Sequence, residues 1–260
     1  SNLRLPVNFT NVKVDYAHWM EQMNDDTPIS GISLPGTANS FSAGASSSSS
    51  YKTQNLTFEQ QWTAGIRAFE IVTDRANNTS GNNFSTLVLQ CGKQDVAGKP
   101  TVSATVNNIL AKLAANPYET AMLIFTYQPE GWSPNRRGPQ YMQQLMNYVK
   151  TLDANKLVQF SPGLTLGKYN DDQYETVNGE KKLKTGAVST GARGKLMIVV
   201  RPNQLDEKDY AATSGGSETY DNAAIWNAIN EQVTGTNADK ILVVNGCGTG
   251  KDKWGARGYT

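Results

Sequence analysis

Six short apolar runs, at residues 32–34, 68–73, 86–90, 121–127, 196–201 and 241–245, are what most restrict the fold of this chain. Runs of four to eight apolar residues without polar alternation mark strands buried on both faces, as in parallel sheets. Between them the apolar spacing changes to a helical period. Val102, Val106, Ile109, Leu110 and Leu113 make one stripe, closed by Asn116-Pro117. Tyr141, Leu145, Tyr148, Val149 and Leu152 make a second, and Ile225, Ile229 and Val233 a third. Strands alternating with helices predict an α/β domain. At 260 residues and without an internal linker or repeat, one β/α barrel over residues 1–260 is favoured over a doubly wound sheet.

Composition narrows the function classes. Lys+Arg 24 against Asp+Glu 23 leaves no basic surface of the kind nucleic acid selects, so a nucleic-acid partner is not expected. No apolar run approaches the roughly 18 residues of a membrane span, and no signal peptide is read at the start of the chain. Only 18% of residues are charged, against about 25% in ordinary domains. With Asn-x-Ser/Thr sequons at Asn8, Asn55, Asn77, Asn78 and Asn83, this favours a secreted or cell-surface protein. Cys91 and Cys247 each follow a strand-like run, and either one disulfide or two thiols fits. Residues 42–50, rich in serine, read as a flexible loop above the mouth of the barrel, and residues 171–191 as a long loop or hairpin.

The first apolar run ends in Leu34-Pro35-Gly36-Thr37-Ala38-Asn39-Ser40, the pattern of a barrel strand delivering side chains to its C-terminal mouth. Four segments, in order over roughly residues 19–246, carry a resemblance. They are Trp19-Met20 with Ile32 to Ser40; Phe58 to Ile71, containing Gly65-Ile66-Arg67-Ala68-Phe69-Glu70-Ile71; Gln90-Cys91-Gly92 followed by Asn116-Pro117-Tyr118-Glu119-Thr120; and Ala192-Arg193-Gly194-Lys195 running to Arg201. Together they resemble the phosphatidylinositol-specific phospholipase C family. The resemblance implies a distorted, incompletely closed TIM-type (β/α) barrel of the PLC-like phosphodiesterase kind. It also implies a reaction in which one histidine acts as base, a second as acid, and an arginine or Ca2+ holds the phosphate.

Residue by residue, the chemistry departs from that pattern. The base position is Ala38 and the acid position Cys91. The position of the phosphate-binding arginine, or of an aspartate ligand where Ca2+ is used, is Val72, and a lysine or glutamate position on the fourth strand is Thr126. The one histidine of the chain, His18, precedes all of these and reads as a surface or packing residue. What the resemblance leaves is Asn39 and Glu70, two oxygen donors of the Ca2+-type site, and Arg201, matching an arginine that meets inositol hydroxyls. Two ligands fall short of the six to eight oxygens Ca2+ takes, so no cofactor is the primary expectation and Ca2+ the alternative. Burial of Glu70 inside a strand calls for a partner, Arg67, Arg75 or a metal. Trp132, Tyr127, Tyr169, Trp226 and Trp254 are candidate mouth aromatics, and Arg136-Arg137 and Lys181-Lys182 candidate contacts for an anionic headgroup.

The leading expectation is a catalytically degenerate phospholipase-C-like protein, leaning away from enzyme activity. It would bind an inositol phosphate, polyol, glycolipid headgroup or glycan at the mouth, with peripheral contact to a membrane. The runner-up is an active phosphodiesterase with a Ca2+ site rebuilt on Asn39, Glu70 and carboxylates such as Asp95 or Glu130. The third reading is a surface adhesion scaffold. The resemblance also implies one strand beyond residue 245, so either the chain is cropped or the barrel is left more open than usual, with residues 3–14 covering its edge.

Overall fold

A computed structural model describes residues 15–45, 52–73, 84–91, 94–127, 138–161 and 163–201, together with the strand segments 212–213, 217–220 and 242–245. In chain order the strands are β1 (Gly36–Thr37), β2 (Ala68–Thr73), β3 (Gln90–Cys91), β4 (Gln94–Asp95), β5 (Ala121–Tyr127), β6 (Tyr174–Val177), β7 (Glu180–Leu183), β8 (Leu196–Arg201), β9 (Ala212–Thr213), β10 (Ser217–Tyr220) and β11 (Leu242–Asn245). The helices are α1 (Phe58–Thr63), α2 (Val102–Ala115) and α3 (Gly138–Val149).

The principal sheet is parallel, in the order β1-β2-β5-β8. Its strands have two buried faces, as their continuous apolar sequences require. Phe69, Ile71, Leu123, Phe125, Ile198 and Val200 face outward and pack with the α2 stripe Val102, Val106, Ile109 and Leu113 and with Tyr141 and Leu145 of α3. On the inner face, Ala68, Met122, Ile124, Met197 and Val199 pack against Met20, Ile29, Phe160 and Leu166. The helix ends follow local chemistry. Thr57 and Gln60 form a capping box at the start of α1. Thr101 caps α2, which stops at Asn116 because Pro117 follows.

This is an α/β fold, a barrel left incompletely closed among the described residues. Strands β2, β5 and β8 lie where the apolar runs predict them. The other three runs differ. The first pairs at Gly36–Thr37 instead of residues 32–34, because a 3-10 turn occupies Ile29–Gly31 and the Pro35 carbonyl is the first to take donors at the start of β2, Arg67 N–H just before the strand and Ala68 N–H within it. The third, residues 86–90, is not a member of the sheet. Leu87 and Leu89 exchange backbone hydrogen bonds with Val102, Pro100 and Val96, and the run ends in the β3–β4 hairpin. The last, β11, pairs antiparallel with β10 rather than joining the parallel sheet among the described residues. The third helical stripe and residues 3–14 lie outside the described residues.

A strap spans the open side of the sheet. Val158 N–H donates to Leu196 O at the start of β8, while Ile29 N–H donates to Leu164 O and Leu166 N–H to Thr27 O, beside the entry to β1. Residues 157–161 and 163–166 thus carry Phe160 and Leu166 over the inner face, from its last described strand back toward its first. The strap turns outward at Gly167, which has φ +75° and lies against Gly191. A Cβ on Gly167 would meet Gly191 N at 2.1 Å. Between these glycines the chain makes the β6–β7 hairpin expected in residues 171–191.

Candidate functional site

The strand register stacks the inner face in layers. Ala68, Met122 and Met197 share one level, Glu70, Ile124 and Val199 the next, and Val72, Thr126 and Arg201 the level nearest the carboxyl ends of the strands. Ala38 and Asn39 follow β1 into a turn beside the second and third levels, where Ser40 N–H donates to Glu70 O at 2.9 Å. The sequence-predicted positions Ala38, Asn39, Glu70, Val72 and Thr126 therefore converge on one end of the sheet. Arg201 pairs with Thr126 by register. Its side chain lies outside the described residues.

The turn is held by a dense set of neutral hydrogen bonds. Buried Gln61 donates to Ser40 O and Leu56 O and accepts from the Thr37 hydroxyl at 2.6 Å. The Ala38 carbonyl accepts from Thr53 Oγ1 at 2.5 Å and Gln54 Nε2 at 2.8 Å. Asn39 sits at φ +44°, a conformation asparagine tolerates better than most residues. The serine-rich segment is a flexible loop only in expectation over its first residues. Ser42–Gly44 form a 3-10 turn, and buried Ser42 accepts from the Thr53 and Gln54 backbone N–H groups. Residues 46–50 lie outside the described residues.

Glu70 is 6% exposed. Its Oε2 accepts from Asn39 N–H at 2.9 Å and its Oε1 from Thr126 Oγ1 at 2.7 Å, and its own N–H donates to Ser40 Oγ at 2.7 Å. Arg67 is not its partner. Arg67 leaves the strand at its opposite end and pairs with Glu119 at 2.8 Å. Arg75 lies outside the described residues. As Ca2+ ligands, Asn39 and Glu70 supply fewer oxygens than the ion takes, and Val72 offers no donor beside them. No group of three His, Cys, Asp or Glu suited to a metal occurs among the described residues.

Between the turn, β2 and the β3–β4 hairpin lies a shallow cleft with no enclosed room for a water molecule, lined in part by Asn39, Phe41, Glu70, Val72, Leu89 and Gln90. It is a surface indentation, unlike the roughly 300–1,000 Å³ of small-molecule pockets. Cys91 is buried at 2% exposure in β3. Cys247 lies outside the described residues.

Other candidates sit elsewhere. Tyr169 is at the amino end of the sheet, its hydroxyl on Pro117 O at 2.7 Å. Lys181 pairs with Asp171 and lies over the Tyr174 ring, and Lys182 pairs with Glu180. All belong to the β6–β7 region, away from the mouth. Asp95 faces Lys99 on the surface at 3.6 Å. Tyr127 has its backbone in β5 and its side chain outside the described residues. Trp132, Trp226, Trp254, Arg136, Arg137 and Glu130 are outside them entirely. The sequence reading missed the roles of Gln61, Thr53 and Gln54. No spacing signal marks them, because they act through backbone carbonyls brought near by the fold.

The amino end of the sheet is charged and densely hydrogen-bonded. Arg67, 0% exposed, donates to Glu119 Oε2, Trp62 O, Ile66 O and Ala17 O. Glu119 Oε1 accepts Met20 N–H. Arg193 donates to Asp25 Oδ1 and to the carbonyls of Gly167, Met20, Tyr118 and Met23. Burial pushes the Glu119 carboxyl up and the Arg67 guanidinium down from their ordinary values, and their mutual attraction offsets part of this.

No family model and no curated protein matches the chain. Among solved structures it is similar to two of the phosphatidylinositol-specific phospholipase C of Staphylococcus aureus, both from work on the modulation of that enzyme's membrane binding. The first has 16% identity and a TM-score of 0.51, covering 72% of this chain and 53% of the other. The second has 15% identity and a TM-score of 0.50 over the same shares. The chain spans about half the length of these structures. The likeness is one of fold, a phosphatidylinositol-specific phospholipase C-like barrel.

Proposed function

We propose that this chain is a catalytically silent relative of the phosphodiesterases that share its fold, and that it meets a polyol-type headgroup at the carboxyl end of the sheet. The observation that carries the reading is Glu70: a buried carboxylate at the mouth whose two oxygens accept from Asn39 N–H and Thr126 Oγ1, beside an alanine where a base is needed. A methyl group at Ala38 cannot take a proton, and Val72 cannot stabilise phosphate charge. Amide and hydroxyl groups around the cleft suit the hydroxyls of an inositol phosphate, a glycan or a glycolipid headgroup. Arg201, paired in register with Thr126, is the proposed cationic contact. The membrane binding of the S. aureus enzyme supports a lipid headgroup as the source, and the low-charge composition supports secretion or surface display.

The test combines two measurements on the whole chain. Titration with myo-inositol 1-phosphate is expected to show saturable binding near millimolar Kd, about 4 kcal/mol, weakened in Arg201→Ala. Phosphatidylinositol vesicles are expected to release no headgroup with or without Ca2+. Ca2+-dependent release abolished in Glu70→Ala would overturn the reading in favour of a rebuilt phosphodiesterase. Neither binding nor release would leave a scaffold.

A further inference from the structure

The only histidine of the chain lies at the amino end of the sheet, in the 3-10 turn Tyr16–His18, with both ring nitrogens engaged. Nδ1 is 2.8 Å from Asp15 Oδ2 and Nε2 is 2.9 Å from Asn116 Oδ1. A carboxylate accepts only. An asparagine presents either an acceptor or a donor, and here the choice is made by its other end: Asn116 Nδ2 donates to Lys112 O at 2.8 Å. Turning the amide over would set its oxygen against that carbonyl. Oδ1 therefore faces His18, and the ring must donate from both nitrogens. Only the imidazolium does so.

We propose that His18 is a proton-operated clamp that, when protonated, ties the entry segment at Asp15–His18 to the carboxyl end of α2 and, when neutral, releases Asn116. On deprotonation the remaining proton stays on Nδ1 against the Asp15 carboxylate, and the bare Nε2 lone pair then faces Asn116 Oδ1, acceptor against acceptor. The contact opens, or the amide turns and gives up Lys112 O.

The surroundings favour the cation. Asn116 is the C-cap of α2, where the helix dipole is negative. On its own turn His18 has Asp15 and the exposed Tyr16. From the segment leading into β5 it has Glu119, which is shared with Arg67. Arg67, the opposing charge nearby, is spent on Glu119 and on carbonyls, Ala17 O among them. The Asp15 hydrogen bond foremost, then the Asp15 charge, Asn116 and Glu119, raises the imidazole above its ordinary 6.5, against some desolvation. The same hydrogen bond holds Asp15 below 3.8. A raised histidine contributes stability that is complete below 6.5 and lost as pH rises through the folded value. A lowered aspartate contributes stability lost as pH falls through its folded value. The clamp thus holds between the two.

Because His18 is the sole imidazole, nitrogen-15 NMR of the whole chain reads it without assignment. The expected result is both nitrogens protonated at pH 6.5, a midpoint above 6.5, and a midpoint that falls in Asp15→Asn and, by less, in Asn116→Ala. Above the midpoint the nuclear Overhauser contact between the ring and the Asn116 amide should vanish, while the Trp19 indole N–H, bonded to Gly65 O, keeps its shift. A midpoint at or below 6.5, or a ring–amide contact that persists unchanged above it, would overturn the proposal.

Discussion

The two ends of the parallel sheet have been built on opposite rules. At the amino end, buried charge is paired and every nitrogen of the two buried guanidinium groups meets a carbonyl or carboxylate: Arg67 with Glu119, Arg193 with Asp25. At the carboxyl end the last level holds Val72, Thr126 and Arg201, and Glu70, one level below, is met by a backbone N–H and a hydroxyl. In a barrel the amino end carries stability and the carboxyl end chemistry. The sequence resemblance touches both ends. Trp19-Met20, Gly65-Ile66-Arg67, Asn116-Pro117-Tyr118-Glu119-Thr120 and Ala192-Arg193-Gly194-Lys195 cluster at the amino end, whereas Asn39 and Glu70, which match the pattern, and Ala38, Val72, Cys91 and Thr126, which depart from it, concern the other.

The sharpest test sets Glu119 against Glu70. Glu119→Ala strands a buried guanidinium and removes the acceptor of Met20 N–H, so a loss of about 3–5 kcal/mol in urea unfolding is expected. Glu70→Gln keeps an acceptor for Asn39 N–H and offers a donor to Thr126 Oγ1, at a cost of about 1 kcal/mol or less. Equal costs would dissolve the contrast.

A smaller effect comes from two glycines of like backbone. Gly194 has φ +72°, and a Cβ there would lie 2.6 Å from Tyr169 Oη. Gly98 has φ +78° with nothing within 4 Å. Gly98→Ala should show the backbone penalty alone, about 1–2 kcal/mol. Gly194→Ala should exceed it by about 1–3 kcal/mol through crowding and the displaced Tyr169–Pro117 bond. Thermal unfolding of both variants isolates the difference. The smallest effect is at the mouth. Ala38→His should change stability by about 0.5 kcal/mol or less and restore no headgroup release from phosphatidylinositol vesicles, since Val72 and Cys91 still supply neither cation nor acid. Measurable turnover in that variant would show the carboxyl end to be one residue short of an active site.

Much of this was legible in residue order, and the failures are instructive. Strands β2, β5 and β8 were readable because burial on both faces demands uninterrupted apolar residues. The run at residues 86–90 has the same composition, yet its backbone groups are taken by a hairpin and by residues 100–102, which only the fold brings near. Glu70 could be read as buried and in need of a partner. That Arg67, three residues away, is not that partner follows from its leaving the strand at the other end, beside Glu119.

By itself, then, the order of residues determined the α/β class, the central strands, the amphipathic stripes and the absence of a histidine at Ala38, because local periodicity and side-chain chemistry are properties of the chain alone. Tertiary structure decided which groups meet. It set Glu70 on Asn39 and Thr126, Arg67 on Glu119, His18 on Asn116, and the strap of residues 157–161 and 163–166 over the inner face. Each of these is a hydrogen bond or packing contact between segments distant in sequence, whose geometry exists only once the sheet has placed both partners.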